Sequence, residues 1–229
     1  MANYWPIVCV GDVHFPWSCD PTIRKIIRLI KDIQPAYTVQ MGDLYDAFSW
    51  GRFARSLSAS KLTPQEELSK ARKKAEKFWC QVQEAAPDTR CHQLIGNHDE
   101  RFKKQILGKA PEYDFIVDEG LRPLFEFPGV KTQPNERTEL FINGICFIHG
   151  YRKHGTHAWH NGCNTVCGHT HKGGAVYHRR GDEVIWELNA GFCADPTAVS
   201  MSYTKQKTVS HYTKGVGVID KHGPRFIAL

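Results

Sequence analysis

The chain has 229 residues, with 30 Lys and Arg against 24 Asp and Glu, a formal net charge of +6, and 41% hydrophobic and 24% charged residues. That balance excludes a disordered chain, and a chain of this length buries roughly 70–75% of the surface its unfolded form exposes. No apolar run approaches the roughly 20 residues a membrane helix needs, and the opening Met1-Ala2-Asn3-Tyr4-Trp5-Pro6 lacks the charged start and apolar run of a secretory signal, so a cytoplasmic protein without membrane contact is expected.

The eight cysteines form no Cys-x-x-Cys pair and are read as reduced and packed, and Cys163 and Cys167 are not counted as metal ligands. The mild positive charge is compatible with an anionic substrate and names none.

Ile7-Val8-Cys9-Val10 is a short apolar run that reads as a buried strand ending at Gly11-Asp12, with His14 two residues further on. Asp20-Pro21 reads as an N-cap followed by proline at the first helical position. Ile23, Ile26, Ile27, Ile30 and Ile33 then recur at helical spacing, with Arg24, Lys25, Arg28 and Lys31 on the other face, which predicts an amphipathic helix ended by Pro35. Tyr37 to Met41 predicts a second strand, ending at Gly42-Asp43. Strand, helix and strand make a βαβ unit, whose functional loops leave the carboxyl ends of the strands, so Asp12 and Asp43 are expected side by side.

Residues 44–62 hold Tyr45, Phe48, Trp50, Arg52, Phe53 and Arg55. Trp50, Arg52 and Arg55 are candidate substrate contacts, a ring to stack on a base and guanidiniums to pair with phosphate. The same spacing suits a packed surface helix. Thr63-Pro64-Gln65-Glu66 is a capping box that opens a helix to about Ala86, with Leu68, Ala71, Ala75, Phe78, Trp79 and Val82 as its apolar stripe. Its Lys70, Arg72, Lys73, Lys74 and Lys77 are read as a solvated face, with a nucleic-acid track as the alternative.

Cys91 to Ile95 predicts a third strand, ending at Gly96-Asn97-His98-Asp99. Phe102, Ile106 and Leu107 suggest one more helix, followed by an irregular excursion through Pro111, Gly120 and Pro123. Glu139 to Ile142 and Ile145 to Ile148 around Asn143-Gly144 predict a hairpin that ends at His149-Gly150. Residues 151–161 read as a loop around a short helix, with His154, His157 and His160 as loop residues. Thr165-Val166-Cys167 predicts a strand ending at Gly168-His169-Thr170-His171. A second hairpin, Ala175 to His178 and Glu183 to Leu188, and strands Gly215 to Asp220 and Arg225 to Leu229 complete the reading.

Asp12, His14, Asp43, Asn97, His149, His169 and His171 all follow strands and are hard or borderline ligands. Seven ligands are too many for one ion and suit two, bridged by one carboxylate at roughly 3.5–4 Å separation. Two divalent ions outweigh Asp12, Asp43 and a hydroxide shared between them, so the pocket stays positive and attracts phosphate.

The ordered blocks Asp12-x-His14, Gly42-Asp43, Gly96-Asn97-His98-Asp99, His149 and Gly168-His169-x-His171 resemble those of the calcineurin-like metallophosphoesterase family. The resemblance implies a four-layer αββα sandwich of two mixed sheets flanked by helices, expected here as one domain over 1–229 with substrate-side insertions at 44–62 and 100–128. It implies that Asp12, His14, Asp43 and His171 hold one ion, that Asp43 bridges, and that Asn97, His149 and His169 complete the other. His98 would face the substrate and protonate the leaving oxygen or steady the pentacoordinate phosphoryl group, and Asp99 would orient His98 by accepting its other ring proton. Asp46 is left outside the ligand set, as a helix cap or the support of a ligand. The nitrogen and oxygen donors suit manganese first, then iron, zinc or nickel.

The Ser/Thr protein phosphatases of this superfamily carry an arginine after Gly-Asp-x-x-Asp and another before Gly-Asn-His-Glu. Here Ala47-Phe48 and Ile95 stand at those places. A protein phosphatase is therefore less expected than a phosphodiesterase or a small-molecule phosphatase, and the aromatics with arginines after Asp43 and the basic helix point to a phosphodiesterase acting on nucleic acid or a nucleotide. The alternatives are a phosphomonoesterase on nucleotides or other small phosphates, and a non-catalytic scaffold of the same fold.

Overall fold

The computed structural model describes residues 4–51, 62–198, 201 and 211–229. β1 (Ile7–Val10), β2 (Tyr37–Gln40), β3 (Arg90–Gln93) and β4 (Val130–Thr132) run parallel. β10 (Gly215–Asp220) pairs antiparallel with β1, and β11 (Gly223–Ala228) with β10, giving the order β11-β10-β1-β2-β3-β4. A second sheet has the order β5-β6-β7-β9-β8, from β5 (Leu140–Ile142), β6 (Ile145–Phe147), β7 (Thr165–Cys167), β8 (Gly174–Arg180) and β9 (Glu183–Asn189). Its middle pairs are parallel and its hairpins antiparallel, so both sheets are mixed.

Side-chain alternation along β1 shows why the sheets stack. Val8 and Val10 point outward to Ile26 and Ile30 of α1 (Asp20–Ile33) and to Phe78 and Trp79 of α2 (Pro64–Ala85). Ile7 and Cys9 point inward to Val39, Phe147, Val166 and Leu188 between the sheets. A strand covered on both faces reads as an unbroken apolar run, and each such side chain contributes roughly 1.5–3 kcal/mol on burial. The five-residue α5 (His157–Asn161) packs on β7 and β9 and forms the thin fourth layer of the αββα sandwich.

α2 starts as its capping box predicts: Glu66 N donates to Thr63 Oγ1 at 3.2 Å, and Thr63 N donates to Glu66 Oε2 at 2.8 Å. α1 starts differently. Cys19 holds the N-cap position, its N–H bonded to Cys193 O, and Asp20 lies in the first turn. The Asp20 carboxylate is drawn instead to Lys74 Nζ, at 2.9 Å.

The basic side of α2 is not uniformly solvated. The Arg72 guanidinium donates to the carbonyls of Pro123 and Leu124 at 2.6 Å and Glu126 at 2.8 Å, and lies 4.4 Å over the Phe127 ring. It ties α2 to the excursion that the sequence leaves irregular. α3 (Arg101–Leu107) is the helix expected from Phe102, Ile106 and Leu107, and the excursion after it folds into α4 (Asp114–Leu121) and two 3-10 turns before β4. Asn143 and Gly144 both take positive φ (54° and 74°), the turn that a two-residue hairpin requires. No helix among the described residues is long and apolar enough to cross a membrane.

Candidate metal centre

Five loops leave the carboxyl ends of β1, β2, β3, β6 and β7 and meet at one rim, because parallel neighbours end on the same side. Close approach is built in. A Cβ on Gly96 would collide with the backbone N and carboxylate of Asp43, so only glycine lets these two loops touch. Four of the seven candidate ligands hold left-handed backbone: His14 (φ 54°), Asp43 (51°), His169 (65°) and His171 (59°). Non-glycine residues there carry roughly 1–2 kcal/mol of strain, which surrounding structure must hold in place and which clusters at functional sites.

The hydrogen bonds that hold it are specific. His14 N donates to Asp43 O at 3.0 Å, His98 N to Asp43 Oδ1 at 2.8 Å, and His169 N to Asp12 Oδ1 at 3.1 Å. Asn189 Nδ2 donates to Gly168 O at 2.7 Å and to Thr170 Oγ1 at 2.9 Å, fixing the loop that carries both late histidines.

All seven predicted ligands come together, in two groups. In the first, the Nε2 atoms of His14 and His171 face each other at 3.3 Å. Asp43 Oδ2 lies 3.9 Å from His14 Nε2, and Asp12 Oδ1 lies 4.0 Å from His171 Nε2. In the second, Asn97 Oδ1 lies 3.0 Å from His149 Nε2 and 2.8 Å from His169 Nδ1. Asp43 Oδ2 is 3.4 Å from His149 Nε2, so one carboxylate oxygen faces both groups.

Nitrogens on the far side of the rings are anchored. Asp46 Oδ2 is 3.1 Å from His14 Nδ1, and Met41 O is 2.9 Å from His149 Nδ1. Anchoring one nitrogen turns the other inward with its lone pair available. Two facing Nε2 atoms can share only one proton, and Asp12 Oδ2 is buried without a hydrogen-bond partner. This donor set fits divalent cations.

Without a cation the charges are poorly matched. Burial, with the neighbouring Asp43 charge, pushes the Asp12 carboxyl up to about 8. Burial also opposes the Asp43 carboxylate, but His149 and His98 outweigh it and hold Asp43 well below the usual range. Burial works against a charged His149, yet the Asp43 and Asp12 carboxylates lift it to about 10.

His98 lies at the rim beside His14, ring centroids 4.6 Å apart. The expected Asp99 partner is a correction. Asp99 accepts backbone N–H groups from Tyr45 (2.8 Å), Gly96 (2.9 Å) and Leu44 (3.2 Å), which staples the Asp43 loop to the Asn97 loop. It is a positioning residue for the loops. The His98 ring is oriented by Asp46, whose carbonyl O lies 2.9 Å from Nδ1. Burial disfavours the His98 cation, but Asp43 and Asp46 together raise it.

Trp50 is a second correction. Its ring packs edge-on against Phe102 at 5.3 Å and adds to the core under α2, which is where an aromatic ring buries most area. Arg52 and Arg55 lie outside the described residues. His157 is a third. It is fully buried, its Nε2 accepts from Tyr151 N (3.2 Å) and Arg152 N (3.0 Å), and its Nδ1 sits 3.3 Å from Glu187. Glu187 in turn takes the N–H groups of Gly155 and His157. With Cys167 they form a third compact group, but their lone pairs are occupied in shaping the turn after His149.

Arg101 is the residue the sequence reading missed. Its Nη2 lies 2.9 Å from His98 Nε2, and its Nη1 donates to Asp46 O at 2.9 Å. The signal was an arginine two positions past Asp99, at the start of α3 and one turn from His98.

Among curated proteins the chain is similar to the Gene 54 protein of Mycobacterium phage D29, 26% identical with 81% of this chain and 78% of that protein covered. It is 24% identical to the Gene 54 protein of Mycobacterium phage L5 over the same shares. Among solved structures it is similar to Yfce, a phosphoesterase from E. coli, with 16% identity, a TM-score of 0.49, and 98% of this chain and 93% of that one covered. A family model, calcineurin-like phosphoesterase, matches residues 6–190, and by the extent of that match the chain belongs to the calcineurin-like phosphoesterase family.

Proposed function

We propose that the protein hydrolyses a phosphodiester with two divalent cations, manganese first among them. One observation carries this: Asp43 Oδ2 faces two separate sets of inward-turned imidazole and amide donors. Asp12, His14, Asp43 and His171 would hold one ion, and Asp43, Asn97, His149 and His169 the other. Such a pair supplies polarisation of a phosphoryl oxygen and a lowered pKa for water near neutral pH. No thiolate belongs to either set, which supports manganese or another metal that accepts oxygen and nitrogen.

His98 holds its Nδ1 proton on Asp46 O while its Nε2 accepts from Arg101; when the guanidinium moves to phosphate, Nε2 takes up a proton from solvent, which Asp43 and Asp46 favour, and passes it to the leaving oxygen. Arg101 sits beside that nitrogen and swings its fork onto the phosphate oxygens. A diester carries one negative charge and a monoester nearly two. Arg101 is the guanidinium in contact with His98, and a single cation there suits the single charge of a diester. Nucleic acid or a nucleotide is the substrate class we assign. Eight unpaired cysteines support a reducing compartment such as the cytoplasm.

The test is turnover of bis-p-nitrophenyl phosphate against p-nitrophenyl phosphate by protein loaded with Mn2+. The proposal expects metal-dependent turnover with the diester preferred. Strong monoester preference would overturn the diester assignment, and inertness toward both with metal bound would overturn hydrolysis.

A further inference from the structure

The inter-sheet core stops abruptly at one edge. Across β1 and β2 the inward positions are apolar: Ile7, Cys9, Tyr37 and Val39. Register carries the same face onto β3 and β4, Tyr37 beside Arg90, Val39 beside His92, and His92 beside Lys131. Positions that elsewhere hold core side chains therefore hold three bases.

The two sheets part there, leaving a cleft of about 490 Å³ lined by Tyr4, Tyr37, Arg90, His92, Lys131 and Asn143, among others. No acidic side chain lines it among the described residues. It lies away from the candidate metal centre: Tyr37 and Arg90 are the first residues of β2 and β3, while the ligands follow the other ends of those strands.

Its walls are built rather than incidental. Arg90 Nη1 donates to Tyr37 Oη at 2.7 Å, and the guanidinium lies 5.3 Å from the centroid of that ring, so the cation is held against an aromatic surface. Tyr37 is itself buried and tilts against the His92 ring at 5.9 Å. His92 is only 9% exposed, and its Nδ1 has no hydrogen-bond partner. A buried ring nitrogen without a partner costs roughly 1–3 kcal/mol, and here it belongs to a side chain lining a cleft with two exposed cations. Opposite stands Tyr4, 43% exposed and tethered through its carbonyl to Asn143 Nδ2 at 3.3 Å.

We propose that this edge cleft is a second binding site, for the phosphate of a nucleotide, free or within a strand. Arg90 and Lys131 donate to the phosphate oxygens, His92 Nδ1–H donates one more hydrogen bond to them, and the exposed Tyr4 ring offers a stacking face for the base. Cations beside an aromatic face are the general means of holding a nucleotide without reading its sequence. The site needs neither the metals nor hydrolysis at the other rim.

The experiment is binding of AMP and of a short fluorescein-labelled oligothymidylate to the full chain in EDTA, by calorimetry and fluorescence anisotropy. Chelation removes any metal-held phosphate, so the result does not depend on the hydrolase reading. At least one of the two ligands should bind, more weakly as salt rises, and should shift the His92 ring resonances. Tighter binding of the oligomer identifies a strand as the ligand, and equal or tighter binding of AMP a free nucleotide. The double variant R90A/K131A, altered only at exposed positions, should lose roughly tenfold or more in affinity. Its metal-loaded turnover of a small aryl phosphate ester should stay within about twofold of wild type, since no contact to the hydrolytic rim is removed. Failure of both ligands to bind, or equal binding by the variant, overturns the proposal. Turnover falling together with binding overturns the separation of the two sites.

Discussion

Replacing Arg101 by Ala separates the proposed chemistry from the metal framework. The side chain is 21% exposed and makes two 2.9 Å contacts, to His98 Nε2 and to Asp46 O. It touches none of the seven proposed ligands in those contacts, so metal content should be unchanged. A hydrogen bond from a charged donor to a phosphoryl oxygen contributes about 1.5–3 kcal/mol. At 1.36 kcal/mol per factor of ten, kcat/KM should fall roughly 10- to 150-fold. Losing two ordinary hydrogen bonds of about 1 kcal/mol each should also lower Tm by roughly 4–8 °C. R101K keeps the charge but loses the fork, and should recover only part of the rate. The assay is steady-state turnover of bis-p-nitrophenyl phosphate, with bound metal counted by mass spectrometry on the same samples. A kcat/KM within about threefold of wild type at equal metal content would refute a role in holding phosphate, because less than about 1 kcal/mol would be at stake.

Asp46→Asn removes the charge 3.1 Å behind His14, so metal affinity should weaken roughly 10- to 100-fold, and because that charge also helps raise His98, the alkaline limb of turnover at saturating metal should move to lower pH; competition with a fluorescent chelator measures the affinity, and unchanged affinity would deny Asp46 this supporting part. Glu187 gives a pH signature. Burial pushes its carboxyl up, but hydrogen bonds from His157 and Gly155 outweigh this and hold it at about 2, below its ordinary 4.5. A depressed carboxyl stabilises the fold above the unfolded value, and that contribution, at most on the order of 3 kcal/mol, drains away as pH falls from 4.5 toward 2. E187Q should therefore melt well below wild type at pH 7, and the gap should close in acid; a gap independent of pH would contradict a stabilising role for the ionised Glu187 carboxylate.

Much of the fold is legible because local and global signals agree. The isoleucine spacing of α1, the capping box of α2 and the Asn143-Gly144 turn each name their element, and the structure builds each of them. β4 escapes because Val130-Lys131-Thr132 is three residues long and offers no run to count; it exists through pairing with β3. Of the site, the meeting of the seven proposed ligands was readable because each follows a strand and parallel strands end together. Their second contacts were not. Whether Asp99 turns to His98 or to the amides of Leu44, Tyr45 and Gly96 depends on how close two loops approach, which spacing along the chain does not encode. The same holds for Arg101, which reaches His98 across one helical turn, and for His157, which is buried by its pairing with Glu187 thirty residues away.

The most direct measurement is anomalous scattering from crystals soaked in Mn2+. The account predicts two peaks at roughly 3.5–4 Å separation, one bounded by Asp12, His14 and His171, the other by Asn97, His149 and His169, with Asp43 between them. A single peak, peaks away from these side chains, or none at saturating metal would contradict it.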